Sequence, residues 1–138
     1  MDVNLFGPYK ASKTLAPLII ESRGRITTTG SISGILSNQM LSPYSMSKHA
    51  VEAYTNTLAV KMEQFGVAVS VIEPENYNPN ILDSLKKRHR ENGLSVDDSR
   101  YRDATNARSS DRSNFKELDE VSAVVYNFLK NTQNGAAW

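Results

Sequence analysis

Between two short stretches rich in β-branched residues, Arg25-Ile26-Thr27-Thr28-Thr29 and Val67-Ala68-Val69-Ser70-Val71-Ile72, the sequence places one long helix-period segment and no hairpin. In that segment Val51, Tyr54, Leu58, Met62 and Phe65 step by 3, 4, 4 and 3 residues, which is one face at a period near 3.6. Ser42 is placed to cap it, Pro43 suits its first turn, and Gly66 stands where a left-handed stop belongs. The second stretch reads as a strand buried on both faces. Strand, long helix and strand predict a right-handed parallel β-α-β unit, and hence an α/β chain.

The remaining segments fit around that unit. A helix is predicted over about Val3 to Glu21, with Leu5, Tyr9, Ala16, Ile19 and Ile20 packing and Pro17 bending it. Residues 73–114 are polar and loop-rich, and from Ser95 to Asn114 only Val96, Tyr101, Ala104 and Ala107 are apolar. Such a stretch buries too little surface to offset its ordering entropy. A last helix, about Phe115 to Lys130, is expected to bury Leu118, Val121, Val124, Val125, Phe128 and Leu129. One domain is expected over 1–138, divided into a core at 3–72, a loop region at 73–114 and a helix at 115–131. Two strands of the buried type leave open edges and uncovered faces, so these residues read as part of a larger α/β domain.

Composition narrows the function classes. Leu, Ile, Val and Phe supply 32 of 138 residues, above the roughly 20% below which disorder is the default. A net charge of +1 argues against the broad electrostatic attraction behind nucleic-acid binding. The absence of cysteine excludes a thiolate metal site and a Cys nucleophile. His49 and His89 have no partner at ligand spacing, so no metal is expected. No apolar run reaches the roughly 20 residues of a membrane span, and a cytoplasmic location is expected.

The strongest local constellation is Tyr44-Ser45-Met46-Ser47-Lys48. Spacing of i and i+4 on a helix puts a phenol and an ammonium on one face, about 5–6 Å apart at Cβ. A tyrosine is a poor base at neutral pH; a close ammonium and a helix N-terminus both favour its phenolate. Such a pair suits proton exchange with an alcohol or carbonyl oxygen. Two solvated residues on an exposed first turn would share the pattern. Ser31 lies 13 residues before Tyr44, at the carboxyl end of the first strand, where open parallel sheets bind ligands. Its hydroxyl could hydrogen-bond a substrate oxygen as charge develops, or cap its own loop.

With these residues in register, the chain resembles the short-chain dehydrogenase/reductase family over most of residues 2–131. The matching stretches are Val3-Asn4-Leu5-Phe6-Gly7, Gly24-Arg25-Ile26, the helix Pro43-Tyr44-Ser45-Met46-Ser47-Lys48-His49-Ala50-Val51-Glu52, and Val69-Ser70-Val71-Ile72-Glu73-Pro74. Asn4, Ser31, Tyr44 and Lys48 fall at the family's tetrad spacing of 27, 13 and 4 residues. The resemblance implies a partial Rossmann-like, doubly wound parallel sheet and NAD- or NADP-dependent hydride transfer between an alcohol and a ketone or aldehyde. It implies Tyr44 as general acid/base, Ser31 holding the substrate oxygen, Lys48 binding the nicotinamide ribose, and Asn4 positioning a relay water. Tyr44, Lys48, Pro74, Glu75, Asn76 and Tyr77 would meet the cofactor. Among members, those acting on hydroxysteroids, retinol-like alcohols or hydroxy acids are most similar.

Three departures from the family pattern stand out. The glycine-rich phosphate loop is missing, and Gly30-Ser31-Ile32-Ser33-Gly34 does not replace it, because Leu36 stands where a third glycine is needed. Glu75 and Pro79 replace the family's usual Gly and Thr, which should weaken cofactor binding. Both ends look cut, at Met1 and at Asn134-Gly135-Ala136-Ala137-Trp138. The alternative to an enzyme is therefore a non-catalytic truncated homologue that pairs with an intact subunit, or with its own copy, through helices 3–21 and 42–65. The basic run Lys86-Lys87-Arg88-His89-Arg90 is read as a solvated helix face.

Overall fold

A computed structural model describes residues 1–37, 41–75, 87, 91–93, 100, 102–103 and 118–130. The chain divides into two compact units, residues 1–75 with 119–138, and residues 76–118. In the first unit a π-helical turn, Asp2–Phe6, leads into α1 (Gly7–Glu21). Then come β1 (Arg25–Thr29), a 3-10 turn (Ile32–Gly34), α2 (Ser42–Glu63), β2 (Ala68–Ile72) and α3 (Asp119–Lys130). In the second unit Lys87 and Glu91 form an exposed i,i+4 ion pair at 3.9 Å. The rest of the basic run lies outside the described residues.

The predicted β-α-β unit is present. β1 and β2 pair in parallel, with Arg25 opposite Ala68 and Thr29 opposite Ile72. Ile26, Met62 and Val67 form the buried core, and Ala16, Ile19, Ile20, Leu58 and Val69 pack against it. Register places Ile26 beside Val69, so α1 and α2 cover the same face of the sheet. Tyr9 and Tyr54 bridge the two helices edge to face, with ring centroids 5.6 Å apart.

Both helices stop by the same device. After α2, Val67 N–H bonds Met62 O at 3.3 Å and Gly66 N–H bonds Glu63 O at 2.9 Å. Gly66 takes φ +70°, and Val67 buries beside Met62, which completes a Schellman stop. After α1, Gly24 N–H bonds Ile19 O at 2.9 Å and Arg23 N–H bonds Ile20 O at 3.1 Å. There the left-handed residue is Arg23, at φ 47°.

Several local expectations need correction. β2 is not buried on both faces: Ala68 is exposed and its other four residues are half-buried, because β1 is its one strand neighbour among the described residues. Ser42 is the first residue of α2 rather than its cap; Leu41 holds that position, with no side-chain hydrogen bond. The regular part of α1 begins at Gly7, since the wider π turn occupies 2–6. Phe65, Leu118, Val124 and Leu129 are exposed, and Tyr9, though it packs against Tyr54, is exposed on its other side. On α3 the half-buried residues Val121, Val125 and Phe128 form a narrower stripe than the apolar pattern suggests, and Phe128 lies 4.9 Å under the Arg25 guanidinium. Residues 115–117 lie outside the described residues. No described helix is long and apolar enough to cross a membrane.

Candidate active site

The site is assembled at the carboxyl end of β1. The first turns of α2 carry Tyr44 and Lys48, four residues apart on one face, and the Lys48 Nζ lies 5.8 Å from the Tyr44 ring centroid. Lys48 donates to the carbonyl oxygen of Thr29, the last residue of β1, at 2.8 Å. This bond pins the ammonium over the strand end. Burial lowers the lysine pKa from 10.5, while the nearby Glu52 carboxyl works to raise it. Tyr44 is 39% exposed, which leaves its ring open to a ligand.

Asn4 reaches the same region from the π turn. Its Nδ2 donates to Ser47 Oγ at 3.3 Å, and Ser47 Oγ donates to Tyr44 O at 2.7 Å. Asn4 and Lys48 line one groove of about 390 Å³, together with Val3, Ala11 and the β1 residues Ile26 to Thr29. Tyr44 and Ser31 are not among its walls.

Ser31 is buried, and its Oγ accepts the Ser33 amide at 3.2 Å. The hydroxyl therefore caps its own 3-10 turn, as the turn interpretation of this serine expects. Accepting that bond leaves its O–H free to donate. The loop is tied to the end of β2 by Gly30 N–H to Ile72 O at 2.8 Å and Ile32 N–H to Pro74 O at 3.4 Å. Pro74 is half-buried and Glu75 exposed. Asn76, Tyr77 and Pro79 lie outside the described residues.

Two groups escaped the sequence reasoning. Thr29 contributes a main-chain acceptor, which no residue pattern encodes. Glu52 lies four residues beyond Lys48, a visible spacing, yet the fold alone brings Glu73 to the same space at Gly30. Among the described residues no cluster of His, Cys, Asp or Glu could hold a metal ion.

The family described as short chain dehydrogenase matches residues 1–90. This chain belongs to the short-chain dehydrogenase family. It is 39% identical over 90 residues to the 3beta-hydroxysteroid dehydrogenase dhs-16 of Caenorhabditis elegans, covering 65% of this chain and 23% of that protein. It is 34% identical over 94 residues to the mitochondrial D-beta-hydroxybutyrate dehydrogenase of Rattus norvegicus, covering 63% and 27%. The chain thus spans about a quarter of the length of these relatives. The fold is similar to that of ElxO with NADP bound, at TM-score 0.69 and 19% identity, over 97% of this chain and 50% of that one. It is also similar to 4-hydroxyisoleucine dehydrogenase complexed with NADH and succinate, at TM-score 0.66 and 18% identity, over 95% and 49%. These likenesses make the two-stranded unit part of a Rossmann-type parallel sheet.

The side chains present fit one end of a nicotinamide cofactor. A fixed ammonium at Lys48 and an exposed phenol at Tyr44 are hydrogen-bond donors suited to ribose hydroxyls and to a substrate oxygen.

Proposed function

We propose that this chain supplies the catalytic, substrate-facing part of an NAD(P)-dependent oxidoreductase acting between an alcohol and a ketone or aldehyde. The observation that carries this reading is the Lys48 ammonium, held between the Tyr44 ring and the carboxyl end of β1 in a groove shared with Asn4.

In this reading the Tyr44 hydroxyl gives a proton to the substrate oxygen during reduction and takes it back during oxidation. The free O–H of Ser31 donates to the same oxygen as negative charge develops on it. Lys48 supports charge on the tyrosine oxygen and donates to the ribose, and Asn4 orients water at the groove behind Lys48. When bound, the nicotinamide supplies or accepts the hydride at the substrate carbon. Pro74, Glu75, Asn76 and Tyr77 belong to the segment that would border it. The names of the relatives favour a hydroxysteroid or a hydroxy acid as substrate class.

A second reading, a non-catalytic homologue that pairs with an intact subunit, draws support from exposed apolar side chains on the two helices. Leu15 and Leu18 on α1 and Val60 on α2 are 48%, 64% and 74% exposed.

Titration of the purified chain with NADH and with NADPH separates the two. Saturable binding, weakened about tenfold (about 1.4 kcal/mol) by Lys48→Ala and kept by Tyr44→Phe, is the expected result. Absence of binding up to millimolar cofactor would overturn catalysis by this chain. Co-purification with an intact family member would then favour pairing.

A further inference from the structure

The side chain of Glu52 rests on the loop that carries Ser31. A Cβ added at Gly30 would collide with Glu52 Oε1, and would come within 2.7 Å of Val71 Cγ2 and 3.4 Å of Glu73 Cγ. A Cβ at Gly34 would lie 3.0 Å from Glu52 Cγ and 3.1 Å from Lys48 O. The two glycines that bracket Ser31 therefore make room for one carboxyl group. Glu52 Oε1 is buried with no donor reaching it; the Glu73 side chain, just past the end of β2, borders the same space at Gly30. Two carboxyls in contact can hydrogen-bond only when one of them carries a proton.

The surrounding charges fit that arrangement. Lys48 stands at i−4 from Glu52, yet among the described residues no ion pair joins them, and the ammonium goes to Thr29 O instead. His49 holds its Nδ1 at Ser45 O, 2.9 Å away. Burial, then the charge and hydrogen bond of Glu73, hold the Glu52 carboxyl above the ordinary 4.5, while Lys48 and His49 pull the other way.

We propose that Glu52 is a positioning residue: in its protonated form it joins α2 to the end of β2, directly beneath the loop bearing Ser31, through a hydrogen bond to Glu73. Ionisation breaks that bond, places negative charge beneath Gly30, loosens the support under the loop and offers Lys48 an anionic partner. The geometry by which Ser31 meets a ligand then depends on one proton. The latch stands on contacts within the chain, and its catalytic consequence rests on the function proposed above.

The full chain, labelled with carbon-13 at the glutamate side-chain carboxyls, reports the latch directly in an NMR pH titration. The expected result is a Glu52 midpoint raised above the ordinary 4.5. The amides of Gly30 and Gly34 should respond over the same range. Glu52→Gln, which can still donate to Glu73, should hold those amides at their low-pH positions across the range, whereas Glu52→Ala should displace them at every pH. An ordinary midpoint for Glu52, or equal displacement by Gln and Ala, overturns the latch. The wild-type titration decides even if a variant fails to fold. An NADH titration run in parallel separates the claims: a working latch without NADH binding counts against the proposed function alone, and NADH binding without a latch overturns the latch alone.

Discussion

The hydroxyls of Thr28 on β1 and Thr55 on α2 lie 2.7 Å apart, both residues buried. Thr55 also donates to Val51 O at 2.8 Å, so its single proton is committed and Thr28 supplies the proton between the hydroxyls. Thr55→Val should cost about 1–3 kcal/mol, because Thr28 is left with Ser70 O at 3.4 Å. Thr28→Val together with Thr55→Val should cost less than the sum of the single changes, since each single change breaks the same hydroxyl–hydroxyl bond. Urea denaturation of the two single variants and the double variant checks this.

Arg23 occupies the left-handed position of the stop after α1 that Gly66 fills after α2. A side chain in that conformation costs about 1 kcal/mol. Arg23→Gly should therefore raise stability by about 0.5–1 kcal/mol, read as an upward shift in the denaturation midpoint. Gly66→Arg should lower it by a similar amount.

Lys48→Met removes the tie to Thr29 and should lower stability by about 1 kcal/mol, a modest figure because the lysine is half-exposed and screened. Burial lowers the lysine pKa below 10.5, so the native state releases this proton before the unfolded chain does. Wild type should therefore gain on the variant as pH rises toward 10.5. Paired denaturation curves through the alkaline range measure the gap.

Glu52 has the opposite sign. Its pKa is raised from 4.5 in the folded chain, so the native state holds more protons than the unfolded chain above that value. The stability it contributes is complete below 4.5 and is lost as pH rises through the folded pKa. Glu52→Gln, which cannot ionise, should lose less stability than wild type over the interval from pH 4.5 upward. Chemical denaturation at several pH values in that interval is the test.

Much of the architecture was legible because period and punctuation agree. The 3, 4, 4, 3 stepping of α2, the left-handed Gly66 and the β-branched flanks specify strand, helix and strand before any contact is known. Burial was less legible. Tyr9, Phe65 and Leu129 carry apolar signals that period alone assigns inward, yet their exposure depends on which neighbours cover them. In the site, the i and i+4 spacing of Tyr44 and Lys48 is visible in the sequence, and α2 sets both on one face. Contacts such as Thr28 with Thr55, or Glu52 with Glu73, join distant segments and leave no trace in local periodicity. Ser31 shows how two local interpretations coexist: its oxygen caps a turn while its proton stays available.

The Lys48 acceptor on β1 is a main-chain atom, which makes tolerance to mutation lopsided. Position 29 can exchange one side chain for another and still present the same carbonyl, provided the strand keeps its course. Position 48 has no such freedom, because the donor at the tip of its side chain is the entire connection. Sequence drift at this junction should therefore accumulate on the strand and spare the helix.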